Sequence, residues 1–289
     1  MNQKIQLSIA IPVYNGEKNL KKQFNRIFNE CDNVKFKNFL EIVISDNCSS
    51  DGTKKIVEYN KARSLKNKNL SIRYFRNNKN LGYFKNFINL VKLPNGKYVL
   101  FLSDDDLPGY GFYKKIYDFI KSKNSNTMLI APIINSNKYY QSLFGINIVS
   151  YIINRGSILS GIILNSQISK KYKSYSKSLY PQTELYLDYY LNYGMIDLDI
   201  NTKIRNIDTK KKISEKINSN DRMQRKSDFA LLGKTKIIEK FYKKKKINFF
   251  EYFYSIYSVY KVGLNIKMIL HKNHHYELEK NFYNKIINV

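Results

Sequence analysis

The chain has 289 residues, 43% of them hydrophobic, enough to bury a sizeable core and to exclude an intrinsically disordered protein. Its formal net charge of +27 suits an anionic partner, yet no helix-turn-helix, zinc-finger or RNA-binding signature accompanies that charge, so a nucleic-acid-binding module is disfavoured. Two cysteines, Cys31 and Cys48, offer neither a disulfide framework nor a zinc-ligand spacing, and the first residues lack a charged segment leading into an apolar signal core, which together point to a cytoplasmic setting.

In chain order, Leu7 to Val13 reads as a buried strand, Tyr14-Asn15-Gly16 as a turn, and Glu17 to Glu30 as a helix with Leu20, Phe24, Ile27 and Phe28 on one side. Glu41 to Ser45 is a second short strand, followed by the polar loop Asp46 to Thr53 and a helix over 54–63. A third strand over 70–75 runs into the polar stretch Arg76 to Gly82, and a helix over 83–91 follows. The fourth strand, over 98–102, ends in Ser103 and three successive carboxylates, Asp104, Asp105 and Asp106. A helix over 110–121 and a strand over 127–131 complete the alternation, which is the pattern of an α/β fold with a largely parallel sheet.

In such sheets ligands bind beyond the carboxyl ends of the strands. The polar loops after the first four strands therefore fall along one edge, bringing Tyr14, Asn15, Asp46, Asn80 and Asp104 to Asp106 toward a single cleft. Adjacent carboxylates repel one another and need a cation or a network of donors. The convergence points to a divalent metal gripping nucleotide phosphates, with a solvated acidic turn before Pro108 as the alternative.

Four segments in order, Ile-Ala-Ile-Pro-Val-Tyr-Asn, Ile-Val-Ile-Ser-Asp-Asn-Cys-Ser-Ser-Asp-Gly-Thr, Asn-Leu-Gly-Tyr-Phe-Lys-Asn and Phe-Leu-Ser-Asp-Asp-Asp, resemble the family 2 glycosyltransferases of GT-A fold over about residues 5–110. The resemblance implies a Rossmann-like, mostly parallel central sheet flanked by helices, and a metal-dependent, inverting transfer from a nucleotide sugar. By resemblance, Pro12, Tyr14, Asn15 and Glu17 would line the nucleotide pocket, and Asp46 would accept hydrogen bonds from the base, which favours a UDP-sugar. Asn80, Gly82 and Asn86 match the family's Asn-x-Gly helix start near the nucleotide. Ser103 to Asp105 occupy the family's Asp-x-Asp metal motif, with Ser103 in place of the first aspartate. Asp105 would then be the main ligand of Mn²⁺ or Mg²⁺ and Asp104 would lie near the ribose. Asp106 would face outward, supporting the metal ligands or helping to position the acceptor.

An inverting transfer also needs a base to take the acceptor hydroxyl's proton. Tyr180 to Asp188 looks like the family's late helix, with Pro181-Gln182 where the family has a Glu-Asp pair. Glutamine cannot act as a base, so Glu184 is the first candidate and Asp188, one turn on, the second; the alternative for Glu184 is a first-turn acid favoured by the helix dipole. Arg155-Gly156-Ser157 and Ser160-Gly161 fall where the family carries acceptor-side residues.

After about residue 201 the chain turns basic and aromatic. Lys210 to Lys212 and Lys243 to Lys246 surround a stretch over 247–264 containing Phe249, Phe250, Tyr252, Phe253, Tyr254, Tyr257 and Tyr260. Glu251 and Lys261 interrupt it, so it is too charged to span a membrane. Two readings stay open: a helix lying on an anionic membrane surface, or a helical subdomain packed on the core or on a second copy in a homo-oligomer. His271, His274 and His275 read as a surface cluster in the Lys-rich tail rather than a metal site.

The sequence is thus read as a GT-A catalytic domain over 1–205, with a nucleotide-binding half over about 1–110 and an acceptor half over about 111–205, followed by a basic helical extension over 206–289. The expected acceptor is a bacterial surface glycan or lipid-linked glycan, and the expected location is the cytoplasm or the inner face of the cytoplasmic membrane. A nucleotidyltransferase on a similar scaffold and a non-catalytic basic protein are the competing classes.

Overall fold

The computed structural model describes residues 5–33, 40–66, 70–122, 126–131, 147–156, 158–173, 175–176, 180–198, 204–206 and 220–270. Ser157, Lys210 to Lys212 and the histidines at 271, 274 and 275 lie outside the described residues.

The apolar run Leu7–Val13 forms β1, with every residue buried, and sits inside a seven-stranded sheet of order β3-β2-β1-β4-β7-β6-β8. The other strands are β2 (Leu40–Asp46), β3 (Leu70–Arg76), β4 (Tyr98–Phe101), β6 (Met128–Ile130), β7 (Ile162–Asn165) and β8 (Met195–Asp197). β1 pairs in parallel with β2 and β4, β2 with β3, and β6 with β8. β7 alone in this sheet runs against its neighbours β4 and β6. Two short strands, β5 (Asp106–Pro108) and β9 (Ile204–Asn206), pair antiparallel beside it.

The helices cover the sheet with the faces their periodicity prescribes. In α1 (Glu17–Asn33), Leu20, Phe24, Ile27, Phe28 and Cys31 are buried. α2 (Thr53–Ser64) buries Val57, α3 (Gly82–Val91) buries Phe87, Leu90 and Val91, and α4 (Phe112–Ser122) buries Phe112, Tyr113, Ile116 and Ile120. Two buried carboxylates collect donors. Glu41 in β2 accepts from Ser8 Oγ at 2.5 Å, from the Asn95 backbone at 2.9 Å and from Arg73 at 2.8 Å. Glu30 caps α4 by accepting from the Tyr113 backbone at 3.0 Å, and burial pushes its carboxyl above the usual range.

The remaining helices are α5 (Ile148–Arg155), α6 (Ser166–Lys171), α7 (Pro181–Tyr193), α8 (Asn220–Lys243) and α9 (Phe249–Leu270). By contacts the chain divides into two units that do not follow a single cut in the sequence. The first, Met1–Asn137 with Leu159–Lys173 and Asn192–Ile213, holds the whole sheet. The second, Lys138–Ile158 with Ser174–Leu191 and Ser214–Val289, gathers α5 and most of α7 with α8 and α9. Within the second unit α9 packs on α5 and α8, and Asn154 Nδ2 donates to Ser258 Oγ at 2.7 Å. Lys234 Nζ lies 3.4 Å from Asn154 Oδ1, and burial lowers its pKa to about 8.

Candidate active site

β1 and β4 are neighbours whose connections leave in opposite directions, since β2 and β3 lie on one side of β1 and β4 on the other. Their pairing stops at Ala10↔Phe101, whereas β1 and β2 stay paired to Val13↔Asp46. The sheet therefore splits at the carboxyl ends of β1 and β4, the switch point at which open α/β sheets place their ligands. The residues after these two strands meet there. A Cβ on Gly16 would come within 2.8 Å of Asp104 Oδ2 and 2.3 Å of Val13 Cγ2, so the close approach of the two loops depends on glycine.

The loop after β1 is laced to the loop after β2. Asn15, with φ 54°, donates its backbone N–H to Ser49 Oγ at 2.9 Å and accepts from the Ser50 N–H at 2.9 Å. Gly16 N donates to Thr53 Oγ1 at 2.9 Å, Glu17 N to Asp51 Oδ2 at 3.1 Å, and Gly52 N to the Glu17 carboxylate at 3.0 Å. Burial alone would raise the Asp51 carboxyl, but hydrogen bonds from Thr53 and the Glu17 backbone hold it below the usual range. Tyr14 remains 51% exposed at the rim, and Pro12 is buried in the strand beneath it.

Asp46 is wholly buried. Its carboxylate accepts from Ser49 N at 2.8 Å, Ser49 Oγ at 2.5 Å and Tyr74 Oη at 2.5 Å, with Arg76 Nε at 3.4 Å. Burial and this bond to Asp46 keep the Tyr74 phenol protonated well above its usual range. Instead of lying open to a base, Asp46 fixes the loop to β3. Asn86 is likewise internal, bonded to Ser45 Oγ at 2.7 Å, the Ser45 carbonyl at 3.0 Å and Asn77 Nδ2 at 3.0 Å. Asn80 and Gly82 are exposed; Asn80 Oδ1 accepts from Asn47 Nδ2 at 2.7 Å and from Gly82 N at 2.8 Å, which starts α3 at a glycine with φ 76°.

The acidic turn has unequal members. Asp104 and Asp105 are half-buried, and Ser103 Oγ donates to Asp105 Oδ1 at 2.5 Å. Asp106, expected to face outward, is 8% exposed and accepts from Ser160 Oγ at 2.6 Å. The reason is that it begins β5, whose partner β9 and the loop before β7 cover it. Ser160 Oγ also accepts from Ser103 N at 2.8 Å. From α1, Gln23 Nε2 donates to the Ser103 carbonyl at 2.6 Å and the Asp106 carbonyl at 2.7 Å, and Arg26 donates to the Pro108 carbonyl at 2.6 Å. Ser160, expected from the resemblance among acceptor-side residues, thus fastens the acidic turn, and Gln23 is not singled out by the sequence. The one signal for Gln23 is a polar residue on the buried face of α1, three residues after Leu20.

Among the described residues no three His, Cys, Asp or Glu close on one point. Asp104 and Asp105 offer a partial shell of hard oxygen donors, which fits a divalent cation whose remaining ligands come from a diphosphate.

The glycosyl transferase family 2 model matches residues 8–173, more than half of the chain. The chain belongs to glycosyl transferase family 2. A curated relative, abequosyltransferase RfbV of Salmonella typhimurium, is 39% identical over 100 residues, which are 35% of this chain and 28% of the relative. The chain therefore matches well under half of that relative's length. Mannosyltransferase PcManGT from Pyrobaculum calidifontis, solved with GDP-Man and Mn²⁺, shares the fold at a TM-score of 0.60 and 12% identity, over 99% of this chain and 81% of that one. S. aureus TarS 1–349, solved with UDP-GlcNAc, shares it at 0.55 and 21% identity, over 89% and 80%. These likenesses establish the GT-A fold for this family 2 chain.

The residues weighed as base lie on α7 in the helical unit. Glu184 has no exposed surface; it accepts from Ser176 N at 2.6 Å and from Ser176 Oγ at 3.2 Å, and it forms an ion pair with Lys240 of α8. Asp188 is half-buried, and burial raises its carboxyl against the opposing pull of Lys246 and Lys244. Gln182 is buried, and Gly156 lies so close to Thr183 that a Cβ would sit 2.8 Å from its Cα.

Proposed function

We propose that this family 2 chain transfers a sugar from a nucleoside-diphosphate sugar to a hydroxyl of a bacterial surface-glycan acceptor with inversion. The observation that carries the reading is the split between β1 and β4, into which Gly16 and the fastened Ser103–Asp106 turn project. Tyr14, Asn15 and Glu17 line the rim for the nucleotide, and Asp46 and Asn86 hold that rim from below. Asp105, with Asp104, would hold Mn²⁺ or Mg²⁺, which supplies countercharge to the departing diphosphate. The name of the RfbV relative supports a surface-glycan setting, and the nucleotide-sugar complexes of the structural neighbours support the donor class.

Of the carboxylates weighed for the proton-accepting role, Glu184 is committed to Lys240 and Ser176 and Asp106 to Ser160, which disfavours both as the base. A panel of nucleotide sugars with and without Mn²⁺, read by thermal shift and by release of nucleoside diphosphate, tests the reading. A selective, Mn²⁺-dependent shift is expected. Asp105→Ala should lose both shift and turnover. Release of inorganic diphosphate instead would assign the chain to nucleotidyl transfer.

A further inference from the structure

α9 carries two faces of opposite character. Its inner face, Tyr252, Ser255, Ile256 and Val259, is buried in the helical unit. Its outer face is not the charged surface of an ordinary amphipathic helix. Phe250 is 71% exposed, Tyr254 52% and Tyr257 43%, at successive spacings of four and three residues, with Phe249 at 50% beside them. The rings support one another. Phe249 meets Phe250 edge-on at 6.0 Å and stacks on Phe253 at 6.4 Å, and Phe253 meets Tyr254 edge-on at 5.8 Å. The outward aromatic surface is therefore continuous and preformed.

At the N-terminal end of this surface the turn from α8 presents Lys243, Lys244, Lys245 and Lys246, all exposed, with Lys245 at φ 54°. Tyr242, Lys243, Lys245, Lys246 and Asn248 help to line a pocket of about 660 Å³ there. Glu251 also lines this pocket, but its carboxylate is engaged in a reciprocal cap, accepting from Asn248 N at 2.8 Å while Glu251 N donates to Asn248 Oδ1 at 2.9 Å.

We propose that this lysine turn and the outer face of α9 together dock the protein on an anionic phospholipid bilayer. The chemistry of each part selects that occupant. Phosphate headgroups match a pocket lined by lysines, and tyrosine and phenylalanine rings partition to the boundary between headgroups and acyl chains. Among the described residues no helix is long and apolar enough to cross a membrane, so the attachment is peripheral.

The test is flotation of the full chain with vesicles of phosphatidylcholine alone and with about 30% phosphatidylglycerol, an anionic fraction sufficient to set up a negative surface potential. Partition to the anionic vesicles should be about tenfold higher and should fall steeply with added salt. The variant Phe250→Ser/Tyr254→Ser/Tyr257→Ser changes only exposed side chains; it should keep the wild-type thermal transition and lose about tenfold in partition. Equal binding to neutral and anionic vesicles, or unchanged binding by the triple variant, would overturn the proposal. So would a lipid-free dimer that the triple variant converts to monomer, which would assign the face to a second copy. The readout is lipid binding, so its failure leaves the sugar-transfer reading untouched.

Discussion

Replacing Gln23 by leucine tests whether the acidic turn is held in place from α1. The Gln23 side chain is 2% exposed, and its amide donates to two main-chain carbonyls of the turn, Ser103 at 2.6 Å and Asp106 at 2.7 Å. Leucine has nearly the same volume and fits a buried face already occupied by Leu20 and Phe24, so the perturbation removes the hydrogen bonds without opening a large void. Each lost bond is worth about 0.5–1.5 kcal/mol, and more where the carbonyl is left dry. The Ser103 carbonyl keeps its turn bond from Asp106 N at 3.2 Å. Leucine returns part of the loss through apolar burial and removes the buried Gln23 Oε1, which accepts no hydrogen bond, leaving a net destabilisation of about 1 kcal/mol. Urea denaturation measures that figure, and Mn²⁺ titration of nucleotide binding reads the site, where affinity should fall about tenfold as the Asp104–Asp105 pair loses its fixed position. Wild-type stability together with wild-type Mn²⁺ dependence would refute the claim that Gln23 positions the turn.

Lys240→Met leaves the fully buried Glu184 carboxylate without its cation and should destabilise the protein by about 2–4 kcal/mol in thermal or urea unfolding, the lower end reflecting the partial exposure of Lys240. Adding Glu184→Met should recover most of that loss, and failure to recover it would mean that the pair is not the source. Glu30→Gln addresses pH dependence. The folded carboxyl binds its proton more tightly than the unfolded one, whose reference value is 4.5, so its contribution favours folding most below that value and declines as pH rises through the raised folded pKa. The glutamine variant lacks this decline, so its stability relative to wild type should rise as pH climbs above the reference value of 4.5, as measured by urea midpoints. Gly16→Ala would press a methyl group on Val13 and Asp104; a loss of about 1–3 kcal/mol and weaker nucleotide binding in a thermal-shift assay are expected.

The sequence by itself determined the alternation of strands and helices through the first ~130 residues and the alignment of four polar loops along one sheet edge. Those features are local: hydrophobic period, strand length and turn residues act over a few positions, and β1 runs over Leu7–Val13 as its composition requires. The same locality made the Ser103–Asp106 turn legible as a cluster of acids. Only the tertiary structure decided which of those acids face the split between β1 and β4. Asp106 is turned inward by Ser160, 54 positions away, and the turn is fastened by Gln23, 83 positions from Asp106. Asp46 reads in sequence as an open acceptor, but Tyr74 and Arg76 arrive from the next strand and enclose it. Glu184 reads in sequence as the first candidate base or a first-turn helix acid, and Lys240, 56 positions later, pairs with it in the dry interior of the helical unit. A carboxylate's availability depends on which donors long-range packing delivers to it, and no window of sequence carries that information.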